Sequence, residues 1–130
     1  MLINYSLVKR KSALNNIGIF TTKFILKGET FYKIPESKIL NYNHDHAARI
    51  SGNKYVWDEE VLNYVNHSCE PNAEINLANL TLFAIRDIKP SEEITCDYDL
   101  TEGDYGYNFI CKCGSKKCRY QIGLVVKLDD

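Results

Sequence analysis

Asn66-His67-Ser68-Cys69-Glu70-Pro71-Asn72 packs amide, imidazole, hydroxyl, thiol and carboxyl groups into seven consecutive residues. Burying such a run is costly unless each group finds a partner, so it marks a site more than a packing segment. Pro71 stiffens it and biases Glu70 toward extended backbone. Downstream lie Glu92-Glu93-Ile94-Thr95-Cys96-Asp97-Tyr98 and then Cys111-Lys112-Cys113-Gly114-Ser115-Lys116-Lys117-Cys118-Arg119. These three polar segments fall within a chain of 130 residues.

The chain is 45% hydrophobic and 25% charged, which suits one domain with a single core and leaves no room for a second. No apolar run approaches the ~20 residues needed to span a bilayer. Met1 to Arg10 lack the basic start, apolar stretch and small-residue cleavage site of a signal peptide. The expectation is a soluble intracellular protein with no membrane partner. Sixteen basic against seventeen acidic side chains give net charge −1, which argues against direct nucleic-acid binding. Acidic residues gather at Asp58-Glu59-Glu60 and from Asp97 to Asp104, either as a solvated face or as a patch that steers a basic peptide.

Short runs rich in Ile, Leu, Phe, Tyr and Thr predict strands at Ile17–Thr21, Thr30–Lys33, Tyr55–Trp57, Glu74–Leu77, Leu80–Ala84 and Ile94–Asp97. Ala78-Asn79 reads as a hairpin turn, Asn being tolerant of positive φ, and Lys27-Gly28 and Lys89-Pro90-Ser91 as two further turns. Helical signal is confined to His44–Ile50 and to Asp58–Val65, where Asp58 is placed to cap. No repeat or low-complexity linker interrupts the pattern, so the fold class is β-rich mixed α/β.

Five cysteines is an odd number, and Cys111, Cys113 and Cys118 fall within eight residues. That spacing suits metal thiolates better than a disulfide framework, and a reducing compartment follows. Tetrahedral Zn²⁺ takes four ligands, so a fourth must come from Cys69 or Cys96. Buried structural cysteines rarely cluster beside Lys112, Lys116, Lys117 and Arg119, which are placed to offset a dianionic thiolate site.

The three motifs, in this order, resemble the SET domain of protein-lysine methyltransferases with a post-SET zinc segment, over roughly Asn15 to Gly123. The resemblance implies several small twisted β-sheets with a knot-like C-terminal threading that brings Asn66-His67 beside Tyr98. It divides one compact unit into a SET domain over residues 1–108 and a zinc-binding tail over 109–130. It implies transfer of methyl groups from S-adenosylmethionine to a lysine of a basic peptide or protein, a histone tail being the first candidate. It leaves the oligomeric state open. The compartment is cytoplasm, nucleus, or the interior of a host cell into which the protein is delivered.

Residue by residue, the resemblance makes Tyr98 the catalytic tyrosine, which orients the amine. With an ordinary pKa of ~10 it is a poor base at neutral pH. Asn66 and His67 match the pair that holds the cofactor. Asn16-Ile17-Gly18 stands where the family carries Gly-x-Gly, so Asn16 is a departure that survives if Asn tolerates the backbone there. Tyr55 matches an aromatic cofactor contact, with core packing the competing reading, and Lys112 matches a backbone contact to the adenine. Tyr55, Cys96 and Tyr98 would line the lysine channel, where a small Cys96 leaves room for di- or trimethylation. The resemblance selects Cys69 as the fourth ligand, giving one structural zinc on Cys69, Cys111, Cys113 and Cys118. Ser91 stands where a glycine is usual before Glu-Glu-Ile, Tyr120 where a glycine often follows Cys-Arg, and the segment from Pro35 to Lys54 is a very short version of the variable insert.

The alternative is a non-catalytic module that uses the same fold to bind a lysine-bearing peptide, with Asn16 weakening cofactor binding. A third class is a purely structural zinc-stapled domain. Joint retention of Tyr98, Asn66 and His67 favours catalysis over both.

Overall fold

The computed structural model describes residues 2–4, 6–14, 16–41, 48–51, 54–97, 109–110, 115–116, 118 and 121–122. In chain order the strands are β1 (Leu2–Asn4), β2 (Leu7–Lys11), β3 (Ile17–Thr21), β4 (Thr30–Lys33), β5 (Ile39–Leu40), β6 (Ala48–Ser51) and β7 (Lys54–Val56). They continue as β8 (Asn66–His67), β9 (Ala73–Asn76), β10 (Thr81–Ala84), β11 (Thr95–Cys96), β12 (Phe109–Ile110) and β13 (Gln121–Ile122). Three-stranded sheets form in the orders β1-β2-β3, β4-β10-β9 and β5-β7-β6, and two-stranded ones from β8 with β11 and β12 with β13. All pairings are antiparallel except β8 with β11, which is parallel. Several small sheets in place of one large one match the expected architecture.

Leu7, Ile19, Ile25, Val61, Val65, Ala73, Leu82, Ala84, Ile88 and Ile94 form the main core, and Ile34, Val56 and Leu80 a smaller one. Ile25 and Ile88 lie in irregular segments, yet each donates its N–H to the other's carbonyl at 2.8 Å. That exchange satisfies the backbone of both loops and lets two fully buried isoleucines enter the core.

Neither expected helix forms as read from the sequence. In place of a helix from His44 to Ile50, residues 48–51 form β6, pairing Ala48 with Val56 and Arg49 with Tyr55; residues 44–47 lie outside the described residues. A seven-residue helix gains too few backbone hydrogen bonds to offset nucleation, whereas β7 offers a ready ladder. The Asp58–Val65 helix shrinks to a single 3-10 turn over Leu62–Tyr64. Asp58 is not its N-cap: Val61 holds that position without a side-chain hydrogen bond, and the Asp58 carboxylate instead folds back to accept from the N–H groups of Glu60 at 3.1 Å and Leu62 at 3.3 Å. It also accepts from the Tyr32 hydroxyl at 2.8 Å. Burial, with the Asp58 carboxylate beside it, pushes the Tyr32 hydroxyl well above the ordinary tyrosine range. Asp58 is therefore fully buried, neither a solvated face nor a steering patch, while Glu59 pairs with Lys38 at 2.8 Å.

The hairpin joins β9 to β10 through four residues instead of two, with Asn76 opposite Thr81. Asn76 Oδ1 holds the turn by accepting from Ala78 N–H at 2.9 Å, and the positive φ falls on Leu80 (55°). Leu80 accepts that backbone because its side chain fills the smaller core. Gly28, at φ 89°, makes the expected turn after Lys27. Strands β1 and β2 were not anticipated: Lys9, Arg10 and Lys11 disguise a strand whose Leu7 is fully buried.

Candidate active site

The parallel pair β8–β11 sets the site. Asn66 lies opposite Thr95 and His67 opposite Cys96, and Ser68 N–H donates to the Cys96 carbonyl at 3.0 Å. Two polar motifs almost thirty residues apart are thereby held side by side. Parallel pairing requires a long crossover, supplied here by the β9–β10 hairpin and the segment that follows it.

The Asn66 side chain is held on its nitrogen end. Nδ2 donates to Glu93 Oε2 at 2.8 Å, to the Ile17 carbonyl at 3.1 Å and, more weakly, to Ser12 Oγ at 3.3 Å. Since a carboxylate and a carbonyl can only accept, the amide orientation is determined and Oδ1 points away from Glu93. The Ser12 hydroxyl lies 2.8 and 2.9 Å from the two Glu93 oxygens.

Gly18 faces this carboxylate. A Cβ built there would collide with Glu93 Oε2 and lie 2.8 Å from Glu93 Cδ and 3.1 Å from Ser12 Cβ. Space, not backbone conformation, favours glycine at position 18, since any side chain there would displace the Glu93 carboxylate. Neither Asn16 nor Gly18 has positive φ, and Asn16 is exposed, accepting Ser12 N–H on its carbonyl at 3.0 Å. The departure from Gly-x-Gly is thus accommodated without strain.

Asn72, fully buried, stitches the first motif to the second. Its Oδ1 accepts Thr95 N–H at 2.9 Å, its Nδ2 donates to the Glu93 carbonyl at 2.8 Å, and its own carbonyl accepts Ile85 N–H at 3.0 Å. Glu70, at the other bend, accepts from Ser115 Oγ at 2.7 Å, joining the Cys-rich tail to the motif loop.

His67 is buried, with Nε2 3.4 Å from Cys69 Sγ and Nδ1 3.8 Å from Asp97 Oδ1. Cys96 packs against the main core, and burial, with the carboxylates of Glu74 and Asp97 nearby, pushes its thiol up to about 12. At neutral pH it is an uncharged thiol.

Among the expected site residues, the fold brings together Gly18, Ile17, Asn66, His67 and Cys96, with Asn16 at their margin. Tyr55 is buried in β7 and belongs to neither core cluster. Cys69 and Cys118 are half-buried thiols. Tyr98, Cys111, Lys112 and Cys113 lie outside the described residues, so the full zinc set does too. Sequence reasoning missed Ser12, Asn72 and Glu93. Glu93 and Asn72 both sat inside quoted motifs, but nothing in a linear motif says that one carboxylate crosses to another motif's amide.

The sequence model of the SET domain family matches residues 16–99. The chain is 37% identical to a histone-lysine N-methyltransferase, H3 lysine-9 specific, of Fusarium mangiferae over 55% of its length, and 32% identical to histone-lysine N-methyltransferase ash1 of Drosophila melanogaster over 65%. It spans only 27% and 4% of those two proteins. Among solved structures it is similar to KRYPTONITE in complex with mCHH DNA, H3(1-15) peptide and SAH, with TM-score 0.66 and 21% identity over 91% of this chain and 29% of that one. It is also similar to the methyltransferase domain of human histone-lysine N-methyltransferase SETMAR, with TM-score 0.63 and 22% identity over 86% of this chain and 55% of that one. At these identities the structural likeness speaks for the fold, and together with the family match over most of the chain it places the protein in the SET domain family.

Proposed function

We propose that the chain is a protein-lysine N-methyltransferase that uses S-adenosylmethionine, with a lysine on a basic protein, a histone tail first, as acceptor. The observation that carries this reading is the β8–β11 pairing, which sets the Asn66 amide and the buried His67 beside Cys96, two residues before Tyr98. The names of the relatives support it, as does the H3 peptide and SAH complex of KRYPTONITE.

The residues present fit the cofactor. Asn66 and His67 offer two buried polar groups at one strand, and Gly18 leaves room for the Glu93 carboxylate that fixes the Asn66 amide. When bound, S-adenosylmethionine supplies an electrophilic methyl group on a cationic sulfur. Asn66, with its nitrogen end fixed by Glu93, and His67 would hold the cofactor; Tyr55 would contact it, and Lys112 would do so through its backbone. The protein's task is orientation and exclusion of water, because the acceptor amine must be neutral and in line. Desolvation in a channel lined by Tyr55, Cys96 and Tyr98 lowers the lysine pKa, and the Tyr98 hydroxyl orients the amine.

One structural zinc on Cys69, Cys111, Cys113 and Cys118 completes this reading, with residues 1–108 as the SET domain and 109–130 as the tail. The donor chemistry fits: Cys69 and Cys118 are half-buried, and the Ser115–Glu70 hydrogen bond docks the turn carrying Cys118 onto the loop carrying Cys69. Among the described residues no helix is long and apolar enough to cross a membrane, and an intracellular setting follows from thiolate zinc chemistry.

Titration calorimetry with S-adenosylmethionine, followed by transfer of labelled methyl onto core histones, tests the proposal. Binding and lysine labelling are expected; absence of both contradicts it.

A further inference from the structure

We infer that Glu93 is a positioning residue for cofactor binding, acting through Asn66. The inference rests on the methyltransferase reading above and extends it to a residue that does not itself meet the cofactor. Glu93 is half-buried, and its carboxylate sits where three segments converge: Ser12 before β3, Gly18 within β3 and Asn66 in β8. Its backbone is fixed independently of the side chain. It bridges Phe20 of β3, and its carbonyl accepts from Asn72 Nδ2 at 2.8 Å.

No ion pair ties Glu93 to a cation among the described residues; neutral donors hold its carboxylate, the Ser12 hydroxyl and the Asn66 amide. A carboxylate in that setting is an acceptor that dictates which way an amide points. An Asn side chain in a site can rotate by half a turn and exchange donor for acceptor at little steric cost. Glu93 and the Ile17 carbonyl together remove that freedom, since both accept and both meet Nδ2. The Asn66 oxygen is turned the opposite way, and a cofactor recognised by that amide meets a single pattern. Fixing it before binding spares the ordering cost at the moment of association.

Calorimetry with S-adenosylhomocysteine reads binding without turnover. Removing the acceptor in Glu93→Ala should weaken binding at least about tenfold. In Glu93→Gln the Gln oxygen can still accept from Asn66 and its nitrogen can donate to Ser12 Oγ, so binding should stay within about threefold. In an Asn66→Ala background, Glu93→Ala should cause no further loss, the non-additivity expected of residues acting as one unit. Circular dichroism establishes that each variant is folded. If Glu93→Ala fails to fold, Glu93→Asp, whose shorter side chain withdraws from Asn66, takes its place in the cycle. Losses that add in the double variant, unchanged binding in Glu93→Ala, or a Glu93→Gln loss as large as that of Glu93→Ala would each overturn the inference. A wild-type chain that binds no S-adenosylhomocysteine overturns the cofactor reading itself, and this role with it.

Discussion

Asn72 and Thr95 hold each other twice: Thr95 N–H donates to Asn72 Oδ1 at 2.9 Å, and Asn72 N–H lies 3.4 Å from Thr95 Oγ1. This pair, with the Asn72 bond to the Glu93 carbonyl, ties the end of the first motif to the start of β11 and keeps β8 and β11 in register. The last asparagine of the motif is therefore a structural clamp on the site. Asn72→Ala would leave the Thr95 N–H and the Glu93 carbonyl without these partners. We expect a loss of about 2–4 kcal/mol in urea unfolding, from desolvation of two backbone groups and the lost packing. A loss below about 0.5 kcal/mol would contradict the clamp.

Positions 16 and 18 should behave oppositely. Gly18→Ala drives a Cβ into a carboxylate pinned by Ser12 and Asn66, so Glu93 must shift and release the amide. Binding of S-adenosylmethionine should fall about tenfold, with a modest change in stability. Asn16→Gly, at an exposed position without positive φ, should leave binding within about threefold. Calorimetry on the two variants checks the contrast, and tighter binding by more than tenfold in Asn16→Gly would refute it.

These contrasts mark what was legible in sequence. The arrangement of small sheets was legible only through the resemblance carried by the Asn66–Asn72, Glu92–Tyr98 and Cys111–Arg119 motifs, because strand composition alone does not say which strands pair. β3, β4 and β10 were readable because their composition matched their half-buried faces. β6 was not, since a short segment takes the structure its neighbour offers; β2 was not, since its basic end conceals a buried Leu7. Ser91 shows a departure acquiring physical meaning: it stands where a glycine was expected and has φ 70°, in the left-handed region that disfavours side chains. Glu93 was invisible because its partners, Ser12 and Asn66, are 81 and 27 residues away in the chain.

Alkaline stability should report on Cys96. Its thiol is raised from 9.0 to about 12, so the folded state keeps a proton that the unfolded state releases. The stabilising contribution is full below pH 9 and is lost as pH rises toward 12, at about 1.4 kcal/mol per pH unit within that window. Between pH 8 and 10.5 the wild-type chain should lose about 2 kcal/mol more than Cys96→Ala, by urea unfolding at each pH. Tyr32, also raised, contributes equally to both. Parallel pH profiles would contradict a raised Cys96 thiol.

Metal content distinguishes the cysteines. One Zn²⁺ per chain by atomic emission is expected, retained in Cys96→Ser and lost in Cys69→Ser. Chelation should weaken cofactor binding together with folding of the tail, because ligand formation and folding are linked in such sites. Zinc retained in Cys69→Ser and lost in Cys96→Ser would reverse the ligand assignment.

The central claim is tested most directly by incubating the chain with labelled S-adenosylmethionine and core histones, beside Tyr98→Phe, and locating the label by mass spectrometry. The account predicts methyl-lysine with the wild-type chain. Tyr98→Phe should lower turnover about a hundredfold, while cofactor binding stays within a few-fold, as expected when an orienting hydroxyl is removed. Wild-type turnover in Tyr98→Phe, or no methyl-lysine from a wild-type chain that binds the cofactor, would contradict it.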